Sequence, residues 1–370
     1  MRSQKVDRFA YLHERAREAA GLSDFGDDAY HEGLHRFIDA VEEIPDADVR
    51  AIAAEAAVGP LVGRLHSEAG WKERPACLSQ PVPSALLITG IPRTGTTALH
   101  KLLSSDLQFQ VLESWLIPTP RVRPPRHTWA TDPIFAAAQA AAAQVPPEFR
   151  AAHYTAPEEA DECLVLLAQS FVTNLFGSTL PIPAYDEWMM VQDMHPTYAR
   201  YADNLRLIGA DAPDRRWLLK NPSTLLSVDA FLAVFTGARV LQTHRDPFDA
   251  MSSLVSVLTG VRTMLGVETE SVVDRELRIW SEAMRRAAAA REVRGDAFFD
   301  VQYEAFVADP MATVRDVYCW LDLELSEAAA TAMSRWLEEN PPHKHGEHEY
   351  APGDYGITRE LIERHFGDTA

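Results

Sequence analysis

Two hydrophobic rhythms alternate along this chain. Five short runs, Ala85–Ile88, Phe109–Glu113, Arg216–Lys220, Ala238–His244 and Ala297–Tyr303, have the length and apolar content of buried parallel strands. Between them apolar residues return every three or four positions, as on one face of a helix. Strands alternating with helices predict an α/β fold, a P-loop-like parallel sheet flanked by helices. Ahead of the first strand, Val6, Phe9, Leu12 and Ala16 form one helical face, and further helices are expected over Ala29–Val41 and Asp48–Leu65. Their Glu and Arg residues alternate as on a solvated surface. Residues 1–80 therefore read as an N-terminal helical extension, a cap over the core or over a substrate entrance. A proline-bearing link, Pro75–Pro83, leads into an α/β domain over residues 81–370. Pro157 opens a predicted helix whose first turn collects Glu158, Glu159, Asp161 and Glu162, with Glu158 and Glu159 on the face of Glu162. The proline- and arginine-rich stretch from Pro118 to Pro125, with Arg121, Arg123 and Arg126, cannot be regular helix and is expected to be a solvent-exposed loop. Later helices are predicted over 132–145, Ser223–Phe235, 268–294, Pro310–Leu321, Ser326–Glu339 and Thr358–Phe366, and no repeat unit is present.

The chemistry concentrates where the first strand ends. Gly90, Pro92 and Gly95 break the apolar run, and from Thr96 onward Leu99, Leu102 and Leu103 recur at helical spacing. A strand-to-helix turn of this kind aims several backbone N–H groups and the positive end of a helix dipole at one spot, which suits a phosphate. The spacing Gly90-x4-Gly95-Thr96-Thr97 is that of a nucleotide P-loop with one change. Thr96 replaces the usual lysine, and the cation has moved into the loop as Arg93. That loss argues against ordinary ATP or GTP chemistry. Lys220 and Arg245 each follow an apolar strand directly, and the carboxyl ends of parallel strands are where ligands bind.

The chain has 370 residues, a formal net charge of -19 and a sequence pI near 5.1. This balance disfavours nucleic acid and anionic membrane surfaces as partners, so an anionic cofactor has to be met by a local group of cations. Cys77, Cys163 and Cys319 are odd in number and widely spaced, without a disulfide or metal pattern, which fits a cytoplasmic location. The N-terminus lacks a signal-peptide core, and no run reaches the roughly 18 apolar residues of a membrane span. His343, His345 and His348 in the Pro/Gly-rich tail form no closed ligand set, and no metal site is expected.

Gly90-Ile-Pro-Arg-Thr-Gly-Thr-Thr97 followed by His244-Arg-Asp-Pro-Phe-Asp-Ala-Met-Ser-Ser253 resembles the sulfotransferases that use 3′-phosphoadenosine 5′-phosphosulfate (PAPS). The likeness is greatest to the bacterial group with a Pro-Arg-x-Gly-Thr-Thr loop. Tyr303-Glu-Ala-Phe-Val-Ala-Asp-Pro310 and Gly353-Asp-Tyr-Gly-Ile-Thr-Arg-Glu360 resemble that group's later landmarks, so the likeness runs from about residue 84 to the C-terminus. It implies that Arg93, Thr94, Gly95, Thr96 and Thr97 hold the 5′-phosphosulfate, that Arg245 and Ser253 hold the 3′-phosphate, and that Tyr303 contacts the nucleotide. Cytosolic relatives often carry lysine where Arg93 stands, and the exchange keeps a cation at the bridging oxygen.

The implied reaction is in-line transfer of a sulfuryl group to a hydroxyl of a small hydrophobic acceptor, with adenosine 3′,5′-bisphosphate as the other product. Tyr185 and Trp188, in the apolar-aromatic segment from Pro181 to Met190, fit either core or the wall of an acceptor pocket. Fixed cations at Arg93 and Lys220 neutralise the departing phosphate, so the transfer is expected to be metal-independent. Many relatives place a histidine base just after the lysine of the third strand. Here that stretch is Lys220-Asn-Pro-Ser-Thr224, without one. Other branches use glutamate, and Asp161-Glu162-Cys163 resembles an acidic pair of the bacterial group. A carboxylate base is therefore expected: Glu162 first, Glu159 second, and His195 or His153 third. The alternatives are a P-loop-type kinase, which would need a lysine after Gly95, and a non-catalytic nucleotide-binding relative.

Overall fold

The computed structural model of the chain describes residues 7–144, 156–341 and 352–367. Five parallel strands, β1 (Ala85–Gly90), β2 (Phe109–Gln110), β3 (Arg216–Lys220), β4 (Arg239–His244) and β5 (Phe298–Gln302), form one sheet in the order β2-β3-β1-β4-β5. The expected α/β class and all five strands are present. β1 is central, and all six of its residues are buried, so both of its faces need apolar side chains. Leu86 and Ile88 join Leu99, Leu102, Leu218 and Leu241 in one buried cluster, while Ala85 and Leu87 join Trp217, Leu219 and Val240 in the larger one. The period of two along the strand thus feeds two cores.

Register decides where the strand ends lie. Ile88 pairs with Lys220 and Gly90 with Thr243, so β1, β3 and β4 finish side by side. The chain passes from β1 to β2 on one side of the sheet and from β3 across β1 to β4 on the other, and this reversal opens a crevice at the carboxyl ends of β1, β3 and β4.

The N-terminal helices are Arg8–Ala20, His31–Glu42, Ala47–Glu55 and Val58–Glu73, the third and fourth replacing the single helix expected from Asp48 to Leu65. Leu12, Leu34, Phe37, Leu61 and Leu65 share the larger core with Phe171, Phe176, Tyr185 and Trp217. Ser67 donates to Asn204 Oδ1 at 2.6 Å, tying the fourth helix to the His195–Ile208 helix. No helix among the described residues is long and apolar enough to cross a membrane.

Three local expectations are corrected. β2 stops at Gln110 because Leu112–Trp115 pair with the acidic stretch instead. Asp161 N donates to Leu112 O at 2.8 Å, Ser114 N to Glu159 O at 3.0 Å and Trp115 N to Pro157 O at 3.2 Å. Glu113 and Ala160 form an antiparallel bridge. The helix predicted from Pro157 therefore does not form there; helix begins only at Leu164. A backbone partner from elsewhere in the chain has outweighed a favourable helix start. Of the arginines of the proline-rich stretch, Arg126 is exposed as expected, whereas Arg121 and Arg123 are half-buried and paired. Arg121 pairs with Asp132, and Arg123 donates to Glu113 Oε2 at 3.0 Å and to Gln110 Oε1 at 3.2 Å. Tyr185 is core: its hydroxyl donates to Phe171 O at 2.8 Å.

Arg275 is the centre of a buried ionic cluster. Arg275 donates to both oxygens of Asp186, at 2.7 and 2.8 Å, to Asn174 Oδ1 at 2.6 Å, and to Glu276. Asp186 and Glu276 are each 1% exposed. Removing one partner of a buried pair leaves a charge that neither water nor protein compensates. Arg275→Leu is expected to lower unfolding free energy by about 3–5 kcal/mol, read by urea denaturation, far more than loss of the exposed Arg335–Glu339 pair.

Candidate functional site

The turn after β1 is built on three residues with positive φ: Gly90 (153°), Arg93 (73°) and Gly95 (87°). At Gly90 a Cβ would stand 2.2 Å from Thr243 Oγ1 and 2.6 Å from Thr243 O, so β4 passes too close for any side chain. Thr94 fills the neighbouring gap, donating to Ile91 O at 2.7 Å and meeting the Thr243 hydroxyl. At Gly95 a Cβ would lie 3.0 Å from the Tyr303 ring. Gly95 is also the N-cap of the helix Thr96–Leu103, whose first turn is capped by no side chain among the described residues. Thr97 is exposed, so this helix start faces open space.

Residues far apart in the chain converge on this turn. Arg93 Nε donates to Ser253 Oγ at 3.0 Å, and Arg245 Nη1 donates to Arg93 O at 3.1 Å. The Arg245 guanidinium lies 4.6 Å from the centre of the Tyr303 ring. Arg93, Gly95, Arg245, Ser253 and Tyr303 thus form one cluster. Ser253 comes from the helix Pro247–Leu265, capped by Asp246, which accepts from Phe248 N at 2.8 Å. The C-terminal segment braces that helix from outside: Arg359 donates to Asp246 Oδ2 at 3.0 Å and Tyr355 to Ser256 Oγ at 3.1 Å.

On the other side of β1, Lys220 Nζ donates to Glu162 Oε2 at 2.9 Å; the lysine side chain is 3% exposed and the glutamate 22%. The contact is set by backbone, since Cys163 N donates to Lys220 O at 3.0 Å and Asn221 N to Ile88 O at 3.1 Å. Glu159 is turned elsewhere. Its Oε2 accepts from Lys101 Nζ at 2.8 Å and from Ala156 N at 3.1 Å. In the extended strip the two glutamates do not share the face that helical spacing predicted. His195 is exposed and bonded to Asp193 at 2.6 Å, and His153, like His343, His345 and His348, lies outside the described residues.

One residue near the site went unnoticed in the sequence. His100, four positions after Thr96 on the loop helix, is 1% exposed, with Nε2 3.4 Å from Leu218 O. The i,i+4 spacing from Thr96 put it on the buried face. Burial, reinforced by the charge of Lys220, pushes its pKa down to about 3, so the imidazole stays neutral. The unfolded chain binds a proton here below the ordinary value of 6.5, whereas the folded chain does not until about 3. Stability from this residue is therefore present above 6.5 and lost as pH falls through that window, by at most about 1.4 kcal/mol per pH unit. Urea unfolding of His100→Leu between pH 7 and 4 is expected to show a shallower acid limb by that slope. Parallel curves for the two proteins would rule out a neutral buried imidazole.

A family model described as "Sulfotransferase family" matches residues 84–327. The chain is 21% identical over 311 residues, 76% of its length, to the Omega-hydroxy-beta-dihydromenaquinone-9 sulfotransferase Stf3 of Mycobacterium bovis and of Mycobacterium tuberculosis, covering 73% of each. Among solved structures it is similar to sulfotransferase STF1 from Mycobacterium tuberculosis H37Rv, with a TM-score of 0.87 and 33% identity over 99% of this chain and 100% of that one. It is likewise similar to sulfotransferase STF9 from Mycobacterium avium, with a TM-score of 0.88 and 26% identity over 100% and 97%.

Proposed function

The chain belongs to the sulfotransferase family, and from that membership we propose that it moves a sulfuryl group from PAPS to a hydroxyl of a small hydrophobic acceptor. The observation that carries the reading is the convergence of Arg93, Arg245, Ser253 and Tyr303 on a glycine turn beside the buried Lys220–Glu162 pair. An uncapped helix start and two arginines form a donor set suited to phosphate and sulfate groups. Thr94, Gly95, Thr96 and Thr97 with Arg93 would hold the 5′-phosphosulfate. Arg245 and Ser253 would hold the 3′-phosphate, with Tyr303 against the nucleotide. Bound there, the cofactor supplies an activated sulfuryl group and leaves as adenosine 3′,5′-bisphosphate.

The chain's own residues supply the rest. Arg93 and Lys220 stabilise the negative charge that develops as the group leaves, at positions set before the reaction begins. Glu162 Oε2 takes the proton of the acceptor hydroxyl once Lys220 turns from it toward that developing charge. Glu159 is bound to Lys101 and falls out of this role. Residues 1–80 act as the cap of this reading, since the Val58–Glu73 helix packs over the segment that follows Glu162. The mycobacterial relatives named for a hydroxylated menaquinone support a hydroxyl as the acceptor group.

Calorimetry with adenosine 3′,5′-bisphosphate tests the cofactor assignment. Arg245→Ala is expected to weaken binding roughly ten- to hundredfold, as for a lost charged hydrogen bond, while AMP binding changes little. Unaltered affinity would remove Arg245 from the 3′-phosphate site. For the proton step, Glu162→Gln is expected to lower turnover roughly 10²- to 10⁴-fold with bisphosphate affinity retained, and Glu159→Gln to leave turnover near that of the parent. Lys220→Met is expected to reduce kcat more than cofactor affinity, because its charge matters most as the bond breaks. Activity is expected to survive EDTA; abolition by chelation and recovery with Mg²⁺ would overturn the metal-independent reading.

A further inference from the structure

The residue after Lys220 and the residue two after Glu162 both line a small cavity of about 30 Å³. Most of its wall is apolar, with Leu164, Leu167, Val172 and Met189 among the contributors. Asn221, Ser223 and Asn174 are among its polar lining residues. Asn221 is 1% exposed, and its Oδ1 accepts from Ser223 N at 3.1 Å. That bond identifies the carbonyl end of the amide, so Nδ2 is the opposite end. Nδ2 is buried and meets no acceptor among the described residues. Asn174 is more fully engaged. Its Oδ1 accepts from the clamped Arg275, and its Nδ2 donates to Ser223 Oγ at 3.4 Å.

A buried amide N–H without an acceptor is costly, and it persists where a ligand completes it. We propose that Asn221 is an acceptor-binding residue, its Nδ2 donating to the reacting hydroxyl oxygen of a neutral, unbranched aliphatic alcohol whose chain enters this cavity. The proposal rests on the sulfuryl-transfer reading and adds the acceptor's class to it. Neutrality follows from the lining: Arg286, its cation, is engaged by Glu282, Leu226 O and Met190 O, and no carboxylate lines the cavity. The unbranched shape follows from the volume, which admits one or two water-sized groups. Met189, Met190 and Met194 lie along the wall, and their unbranched side chains can shift to admit a slender chain. Each bond that orients the polar lining is made before any acceptor arrives, so the cost of alignment at binding is small.

The test uses the full chain, radiolabelled PAPS and 1-hexanol as the probe, with cyclohexanol as the bulkier, cyclic comparison. The parent protein is expected to sulfate 1-hexanol at least tenfold more efficiently than cyclohexanol. Asn221→Ser keeps a capping oxygen for Ser223 N and loses the amide donor. It is expected to raise KM for 1-hexanol about tenfold with kcat changed less than threefold and bisphosphate affinity unaltered. Asn221→Asp keeps both shape and cap, and the same KM rise there separates donor loss from any loss of packing. An unchanged KM in both variants, with thermal unfolding near the parent's, would overturn the role of Asn221. A parent that binds the bisphosphate but prefers cyclohexanol would overturn the acceptor class while leaving sulfuryl transfer intact. A parent that does not bind the bisphosphate would overturn both.

Discussion

The contact between Gly90 and Thr243 is the constraint on which the site depends. Two parallel strands end side by side there, and the space between them holds no Cβ. The Thr94 hydroxyl meets that of Thr243 beside this gap, and the preceding Arg93 takes φ 73°. That conformation costs an ordinary side chain on the order of 1–2 kcal/mol, and it persists because neighbours over-determine it. Arg245 supplies one of those restraints by donating to the Arg93 carbonyl, and Ser253 supplies another by accepting from its side chain. The groups that would face the cofactor therefore hold one another in place. A displacement of β4 or of its following helix would be felt at Arg93.

The Lys220–Glu162 pair works under a different constraint. An ammonium that is 3% exposed needs a partner, since a lone buried charge is far more costly than a paired one. Glu162 meets that need, and the more open position of the carboxylate leaves it reachable from the crevice. One lysine thus keeps the carboxylate in position, and in the proposed reaction it would also meet the charge developing on the leaving group. In a chain of net charge -19, such local cations are what an anionic cofactor would require.

Rigid backing makes these contacts reproducible. The buried Arg275 cluster fixes Asn174 on one side, and on the other Arg359 and Tyr355 tie the C-terminal segment to the helix that carries Ser253. Both use residues from distant parts of the chain, so the site is a property of the whole fold and not of its loop alone.

What the sequence by itself determined follows from local rules. Five apolar runs of strand length predicted five parallel strands, and Gly90-x4-Gly95 predicted a strand-to-helix turn, because both signals act within a few residues. Lys220 and Arg245, each directly after a strand, were placed at the crevice because strand ends carry ligands in parallel sheets. The tertiary structure decided the rest. Pro157 and its acids carry the signals of a helix start, yet Leu112–Trp115 offered backbone partners and made the stretch extended. That one change separated Glu162 from Glu159, sending the first to Lys220 and the second to Lys101. Pairing across nearly fifty residues, the burial of His100 and the orphan amide of Asn221 depend on which segments meet in space, and no local periodicity encodes that.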